Sequence, residues 1–125
     1  MLQSSPMYAY VPVSDLARAR KFYEEKLGFK PDHESEGGVT YKCAGGTAFF
    51  MYRSGNAGTS KASQAFWQVA DVRAEVADLK RRGVVFEEYD HPGLKTVDSL
   101  ATGGGAMTAW FKDPEGNILA IVQAI

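Results

Sequence analysis

The side chains able to do acid–base, nucleophilic or metal chemistry are few and scattered along these 125 residues. There are two histidines, His33 and His91, and one cysteine, Cys43. A nucleophile needs a base within hydrogen-bond reach, and no Ser–His–Asp or Cys–His arrangement follows from the spacing. Cys43 stands in a strand-like run with no activating base to name, so it reads as a small structural residue. Gly103-Gly104-Gly105 resembles a phosphate cradle only in composition, because no lysine-bearing loop opens a helix there. Each histidine is isolated, and a lone histidine is more often a surface or hydrogen-bonding group than a metal ligand. Tyr8, His91 and Lys95 are the remaining candidates for proton transfer.

Aromatic residues are the more prominent resource. They make up 12% of the chain, enough for both a core and a pocket lining. Fourteen basic residues against fifteen acidic give a net charge of −1, and the charges are interspersed. A nucleic-acid binder normally carries a basic face, so that class is disfavoured. No apolar run approaches the roughly 18 residues a membrane span needs. The start, Met1-Leu2-Gln3-Ser4-Ser5-Pro6, lacks the pattern of a signal peptide. A single cysteine rules out an internal disulfide and points to a reducing, cytoplasmic setting. Length fits one domain, residues 1–125.

What must position these residues is a duplicated unit. Val13-Ser14-Asp15-Leu16 recurs as Val69-Ala70-Asp71-Val72, fifty-six positions later. In the first copy, Met7–Val13 reads as a strand, and Ser14 or Asp15 caps a helix. Leu16, Ala19, Phe22, Tyr23 and Leu27 keep to one helical face, and Gly28 ends it. Strands follow at about Lys30–Ser35, Val39–Ala44 and Thr47–Arg53, with Gly37-Gly38 and Gly45-Gly46 as turns. Ser54–Ser63 is small and polar and reads as a flexible connection. The second copy has a strand at Gln64–Val69, a helix at Asp71–Arg82 with Val72, Val76 and Leu79 inward, and a strand at Val84–Glu88. An irregular stretch, Tyr89–Asp98, precedes strands at Ala106–Lys112 and Ile118–Gln123, which Asp113-Pro114-Glu115-Gly116 joins as a type I turn. The fold class is α+β: two βαβββ modules, about 7–53 and 64–123. Such modules, packed side by side with helices outside, are expected to form a curved mixed sheet around a concave pocket.

The run Val13-Ser14-Asp15-Leu16-Ala17-Arg18-Ala19-Arg20-Lys21-Phe22-Tyr23, ending in Leu27-Gly28-Phe29, resembles the first strand–helix signature of the vicinal-oxygen-chelate superfamily. This superfamily groups glyoxalases, bleomycin-resistance proteins and dioxygenases. Trp110-Phe111-Lys112-Asp113-Pro114-Glu115-Gly116-Asn117 resembles its closing hairpin. The resemblance covers about Met7 to Val122. It implies paired βαβββ modules, a homodimer, and a pocket inside each curved sheet. In the enzymes of the superfamily, four strand positions, two per module, hold a divalent metal that chelates two neighbouring substrate oxygens.

Carried onto this chain, those positions fall on Tyr8, Phe50, Gln64 and Ala120, with Met51 as the alternative to Phe50. Divalent metals take imidazole, carboxylate, thiolate or comparable donors. Phenylalanine and alanine offer none, a neutral phenol is poor, and a glutamine amide serves only beside stronger donors. A slip of one residue brings in Ala9, Met51, Ala65, Leu119 or Ile121 and does not restore the set. No metal and no other cofactor is expected.

Strand residues two apart share a face. With the four positions facing the pocket, its lining is Tyr8, Tyr10, Phe50, Tyr52, Gln64, Phe66, Gln68, Ala120 and Val122, joined by either Trp110 or Phe111. Ala9, Val11, Val13, Ala65, Trp67, Val69, Leu119 and Ile121 then face the helices. The lining is aromatic and uncharged, suited to a flat or apolar molecule held by ring contacts and oriented by amides and hydroxyls. The competing arrangement is a cavity that these side chains fill themselves. The stretch from Tyr89 to Asp98 is either a rim or lid of the pocket or a plain surface connection. The expected function is metal-independent binding or sequestration of a small aromatic or apolar molecule. The alternative is a glyoxalase- or dioxygenase-like enzyme with an atypical or absent metal site.

Overall fold

A computed structural model describes residues 1–125. The chain runs β1 (Tyr8–Val13), α1 (Leu16–Lys21), β2 (His33–Ser35), β3 (Gly38–Lys42), β4 (Ala48–Arg53), β5 (Ala65–Gln68) and α2 (Val72–Arg81). It continues through β6 (Asp90–His91), β7 (Leu94–Lys95), β8 (Ala101–Gly103), β9 (Ala106–Lys112) and β10 (Ile118–Ala124). The architecture is α+β, with two four-stranded mixed sheets ordered β1-β4-β3-β2 and β5-β10-β9-β8. No helix is long and apolar enough to cross a membrane. Two compact units divide the chain: Met1–Thr59 with Pro114–Asn117, and Ser60–Asp113 with Ile118–Ile125. The tip of the closing hairpin thus belongs to the first unit.

In the first unit, β1 pairs with β4 in parallel, and β4–β3 and β3–β2 are antiparallel. Alternation sends Val11, Val13, Tyr41, Phe49 and Met51 to one face, where all are buried. Ala19, Phe22 and Tyr23 from the helical segment are buried as well, and the Tyr23 ring lies 5.4 Å from Phe49. Asp15, not Ser14, is the N-cap, its carboxylate accepting the Arg18 amide at 3.1 Å. After Lys21 the helix widens into a π turn, Phe22–Lys26, where the Leu27 amide reaches the Phe22 carbonyl. Gly28, at φ 81°, then lets the Phe29 amide return to the Tyr23 carbonyl and stop the helix. Below it, the Tyr41 hydroxyl donates to Glu24 at 2.8 Å and Arg20 Nε donates to the same oxygen at 2.7 Å. Burial raises the Glu24 carboxyl, but these two donors outweigh it and its pKa is lowered. Burial, then the bond to Glu24, pushes the Tyr41 phenol up.

The second unit repeats this plan with the same register. Tyr10 pairs with Phe50 and Phe50 with Thr40, while Phe66 pairs with Ala120 and Ala120 with Trp110. Tyr10 is therefore the counterpart of Phe66, Phe50 of Ala120, and Thr40 of Trp110. Core positions correspond too: Tyr41 with Phe111, Phe49 with Leu119 and Met51 with Ile121, all buried. Val72, Val76 and Leu79 of α2 are buried, as expected for the inward stripe of an amphipathic helix. Asp71 caps that helix by accepting the Ala74 amide at 3.1 Å.

Three expectations need correction. The expected strand at Val84–Glu88 does not form as such. Phe86 makes a single bridge to Phe111, and the Glu87 amide donates to the Trp110 carbonyl at 2.8 Å. Continued in that register, residue 89 would stand opposite Thr108, but Ala101 of β8 stands there. The edge strand is interrupted after Glu87, and the chain leaves the sheet before rejoining it. The excursion is the second correction, because Tyr89–Asp98 is ordered around the β6–β7 hairpin rather than irregular. Third, the connection after Arg53 is not featureless. Ser54–Thr59 forms hydrogen-bonded turns, and the Gly58 amide donates to the Asn117 side chain at 3.1 Å.

Candidate ligand-binding site

In the first unit, the sheet face away from the helix carries a row that crosses all four strands: Tyr10, Phe50, Thr40 and His33. Tyr8 and Tyr52 flank the row on the same face, two residues from Tyr10 and Phe50 respectively. The Tyr10 ring stands edge-on to Phe50, with centroids 6.1 Å apart at 77°, and edge-on to Tyr52 at 5.2 Å and 74°. Phe50 and Tyr52 lie parallel, 4° apart in plane and 6.3 Å between centroids. Pro6, Tyr8, Ala9, Tyr10, Thr40 and Phe50 line a surface concavity of about 350 Å3. Tyr8 and Tyr10 are 52% and 68% exposed, so these rings do not pack away into the core. Pro6, Ala9 and Thr40 lie outside the lining expected from the sequence: Ala9, expected to face the helices, borders the concavity, and Thr40 follows only from the β3–β4 register.

The second unit presents the corresponding row, Phe66–Ala120–Trp110. The register puts Trp110 and Phe111, the two alternatives offered by the sequence, on opposite faces of β9. Trp110 shares the face of Ala120, while Phe111 is buried and stacks on Trp67 at 6.4 Å and 9°. A second row joins Gln68, Val122, Thr108 and Ala101. Phe66 is 62% exposed, whereas Ala120 is 3% exposed between its two large neighbours. Gln64 and Gln68 are exposed and leave their amides open to solvent.

Tyr89, which the sequence marks only as the first residue of the stretch read as either a rim or lid or a plain surface connection, belongs beside this row. Its ring meets Trp110 edge-on at 5.5 Å and 80°, and His91 in turn lies 6.1 Å from Tyr89. Burial, and then the nearby Glu87 charge, raises the Tyr89 phenol above its ordinary value. The phenol is neutral at physiological pH and able to donate. Lys95 is exposed on β7, paired with Asp90. His33 is exposed at the outer end of the first row, and Cys43 is half-buried and free. Tyr8, Lys95 and His91 share no hydrogen bond with one another.

The four positions that hold a metal in the superfamily's enzymes can now be tested against the fold. Met51 is fully buried on the helix side, so the position equivalent to Ala120 is Phe50. The donors are thus a phenol, a phenyl ring, an amide and a methyl group, and this set does not fit a divalent cation. No three His, Cys, Asp or Glu side chains converge elsewhere in a way that could hold one.

The hairpin tip has a structural task that its sequence pattern does not disclose. Glu115 Oε1 accepts the Ser14 amide and hydroxyl, and Oε2 accepts the Asp15 amide at 3.1 Å and Arg18 Nη2 at 2.9 Å. Its side chain is 2% exposed. Burial alone would raise the carboxyl, but the Ser14, Arg18 and Asp15 donors outweigh it and hold the pKa at about 2. Asn117 donates to the Pro12 carbonyl at 2.8 Å while accepting from Gly58. The Asp-Pro-Glu-Gly-Asn turn therefore clamps the end of β1 and the start of α1, and so fixes the strand that carries Tyr8 and Tyr10.

Comparison with known proteins agrees with this architecture. The family profile described as Glyoxalase/Bleomycin resistance protein/Dioxygenase superfamily matches residues 6–121. The chain is similar to TnmS3, an antibiotic binding protein from Streptomyces sp. CB03234, with 26% identity and a TM-score of 0.76 over 100% of this chain and 99% of that one. It is also similar to a glyoxalase/bleomycin resistance protein/dioxygenase from Alicyclobacillus acidocaldarius, with 20% identity, a TM-score of 0.73, and 98% and 92% of the two chains covered. A glyoxalase/bleomycin resistance protein from Catenulispora acidiphila shows 20% identity and a TM-score of 0.69 over 98% and 100%. No curated protein matches the chain. With the match spanning nearly its whole length, the chain belongs to the glyoxalase/bleomycin resistance protein/dioxygenase superfamily.

Proposed function

We propose that this protein binds and sequesters a planar aromatic or apolar small molecule, without a metal ion, on the ring-bearing faces of its sheets. The observation that carries this reading is the row Tyr10–Phe50–Thr40 beside a concavity of about 350 Å3. Rings at Tyr8, Tyr10, Phe50 and Tyr52 offer faces and edges to a flat ligand, each such contact worth about 0.5–1.5 kcal/mol beyond area burial. Hydroxyls of Thr40 and the tyrosines would set its orientation on the first sheet, and the amides of Gln64 and Gln68 would do so on the second. Phe66, Trp110 and Val122 supply a second surface of the same chemistry.

Two further observations support it. The antibiotic-binding relative is similar along the whole chain, which favours an antibiotic-like ligand class. The superfamily's metal positions carry no donor set, which disfavours its metal-dependent reactions. A homodimer and a cytoplasmic setting are part of the proposal; Met7, Val85 and Val97, outside the proposed lining, leave apolar surface open in the single chain. An enzyme remains the second reading because His91 reaches the Trp110 side through Tyr89.

The test is native mass spectrometry and elemental analysis of protein purified without added metal. The proposal expects a dimer mass, sub-stoichiometric metal, and an adduct when aromatic natural products are supplied. Stoichiometric nickel, zinc, iron or manganese would favour the enzyme reading instead.

A further inference from the structure

An exposed carboxylate ties the two ends of the excursion from the second sheet together. Glu88 is where the chain leaves the sheet, and its Oε1 accepts the Thr96 hydroxyl and the Ser99 amide while Oε2 accepts the Ser99 hydroxyl at 3.3 Å. Thr96 Oγ1 in turn accepts the Tyr89 amide at 2.8 Å, and the Thr96 amide donates to the Tyr89 carbonyl at 2.9 Å. The closing turn is unfavourable by itself. Asp98 and Ser99 stand at φ 51° and 73° between the bridged residues Val97 and Leu100. Two consecutive non-glycine residues with positive φ cost conformational energy and persist only where surrounding contacts hold them. Glu88 supplies those contacts from the far end of the excursion. The Thr96 and Ser99 bonds, with the Lys80 charge nearby, also keep its carboxyl ionised.

The group delivered by this arrangement is Tyr89. Its backbone is bonded on both sides to Thr96, and its ring lies edge-on to Trp110 and to His91. We propose that Glu88 is a positioning residue for ligand binding: by latching Thr96 and Ser99 it fixes Tyr89 against Trp110, so that Trp110, Tyr89 and His91 form a pre-organised aromatic rim. This rests on the reading of the Trp110 face as ligand-binding. Pre-organisation matters because ordering a rim at the moment of binding subtracts from affinity.

The experiment uses the full chain in a W67F background, so that Trp110 is the sole indole, with Glu88→Ala, Glu88→Gln and Thr96→Val compared. Trp67 lies on the helix side and is outside the proposed lining. Near-ultraviolet circular dichroism of the ligand-free protein reports Trp110 packing, and calorimetric titration with 2-naphthol reports affinity. Glu88→Ala should lose the Trp110 band and weaken 2-naphthol roughly two- to tenfold, the range of one edge-to-face interaction. Glu88→Gln, which keeps an acceptor oxygen, should retain most of both. Thr96→Val, a near-isosteric change, should follow Glu88→Ala and serves if that variant unfolds. An unchanged Trp110 band, or equal affinity in all variants, would overturn the proposal. If the parent binds no 2-naphthol while Glu88→Ala still loses the band, the latch is upheld and the ligand-binding reading of the Trp110 face is overturned.

Discussion

Glu115 Oε1 accepts the backbone amide of Ser14 at 2.6 Å and its hydroxyl at 2.7 Å, joining residues 101 positions apart. The carboxylate also faces the first turn of α1, where a negative charge is favourable. A nearly buried acceptor with four donors leaves several groups unpaired when it is removed. Glu115→Ala should destabilise the protein by about 2–4 kcal/mol. Urea unfolding checks this as a lower midpoint at unchanged slope, and an unchanged midpoint would show that the clamp is dispensable.

The same residue sets an acid limit. Its carboxyl sits at about 2 in the folded chain against an ordinary 4.5. A depressed folded pKa means that the stabilisation is complete above about 4.5 and drains away as pH falls toward 2. By linkage it amounts to something on the order of 3 kcal/mol. Stability measured between pH 6 and pH 2.5 should fall less steeply in Glu115→Gln than in the parent. Parallel curves would contradict the assignment.

Gly58 lies under the same turn. At φ 71°, a Cβ there would overlap the Glu115 carbonyl, which is backbone and cannot swing aside. Gly58→Ala should therefore cost about 2–4 kcal/mol, far above the usual cost of a surface change. Gly45→Ala is the control: it shares a positive φ but meets nothing within 4 Å, and it should cost clearly less in a thermal melt.

Features were legible in the sequence where their signal was local. Caps, the Gly28 stop and strand alternation are written in neighbouring residues, and the repeat of Val13-Ser14-Asp15-Leu16 at Val69-Ala70-Asp71-Val72 aligns the modules. The pairing of Phe50 with Tyr10, and of Ala120 with Phe66, arises from that duplication. The strand expected at Val84–Glu88 fails because its β-rich composition says nothing about where its partner edge is taken by another segment. Tyr89 and Glu88 carry no local mark for the same reason: their partners Trp110, Thr96 and Ser99 become neighbours only after the excursion folds back. Glu115 resembles an ordinary turn residue, since a bond to Ser14 leaves no trace in either local pattern.

Tyr10 offers a separation of binding from stability. It is 68% exposed and stands edge-on to Phe50 and Tyr52. Tyr10→Ala should leave the unfolding midpoint nearly unchanged. It should also weaken a planar aromatic probe by about 0.5–1.5 kcal/mol for each ring–ring interaction that the ligand no longer makes, roughly two- to tenfold each. A large loss of stability with no change in affinity would place Tyr10 in packing and not in the site.

The most direct measurement is calorimetric titration of the purified protein with flavone and with 2-naphthol, in buffer with and without EDTA, for the parent and Phe50→Ala. A metal-free aromatic site predicts saturable binding that chelator leaves unaltered and that Phe50→Ala weakens. Binding abolished by EDTA and restored by a divalent metal, or an affinity indifferent to residue 50, would contradict it.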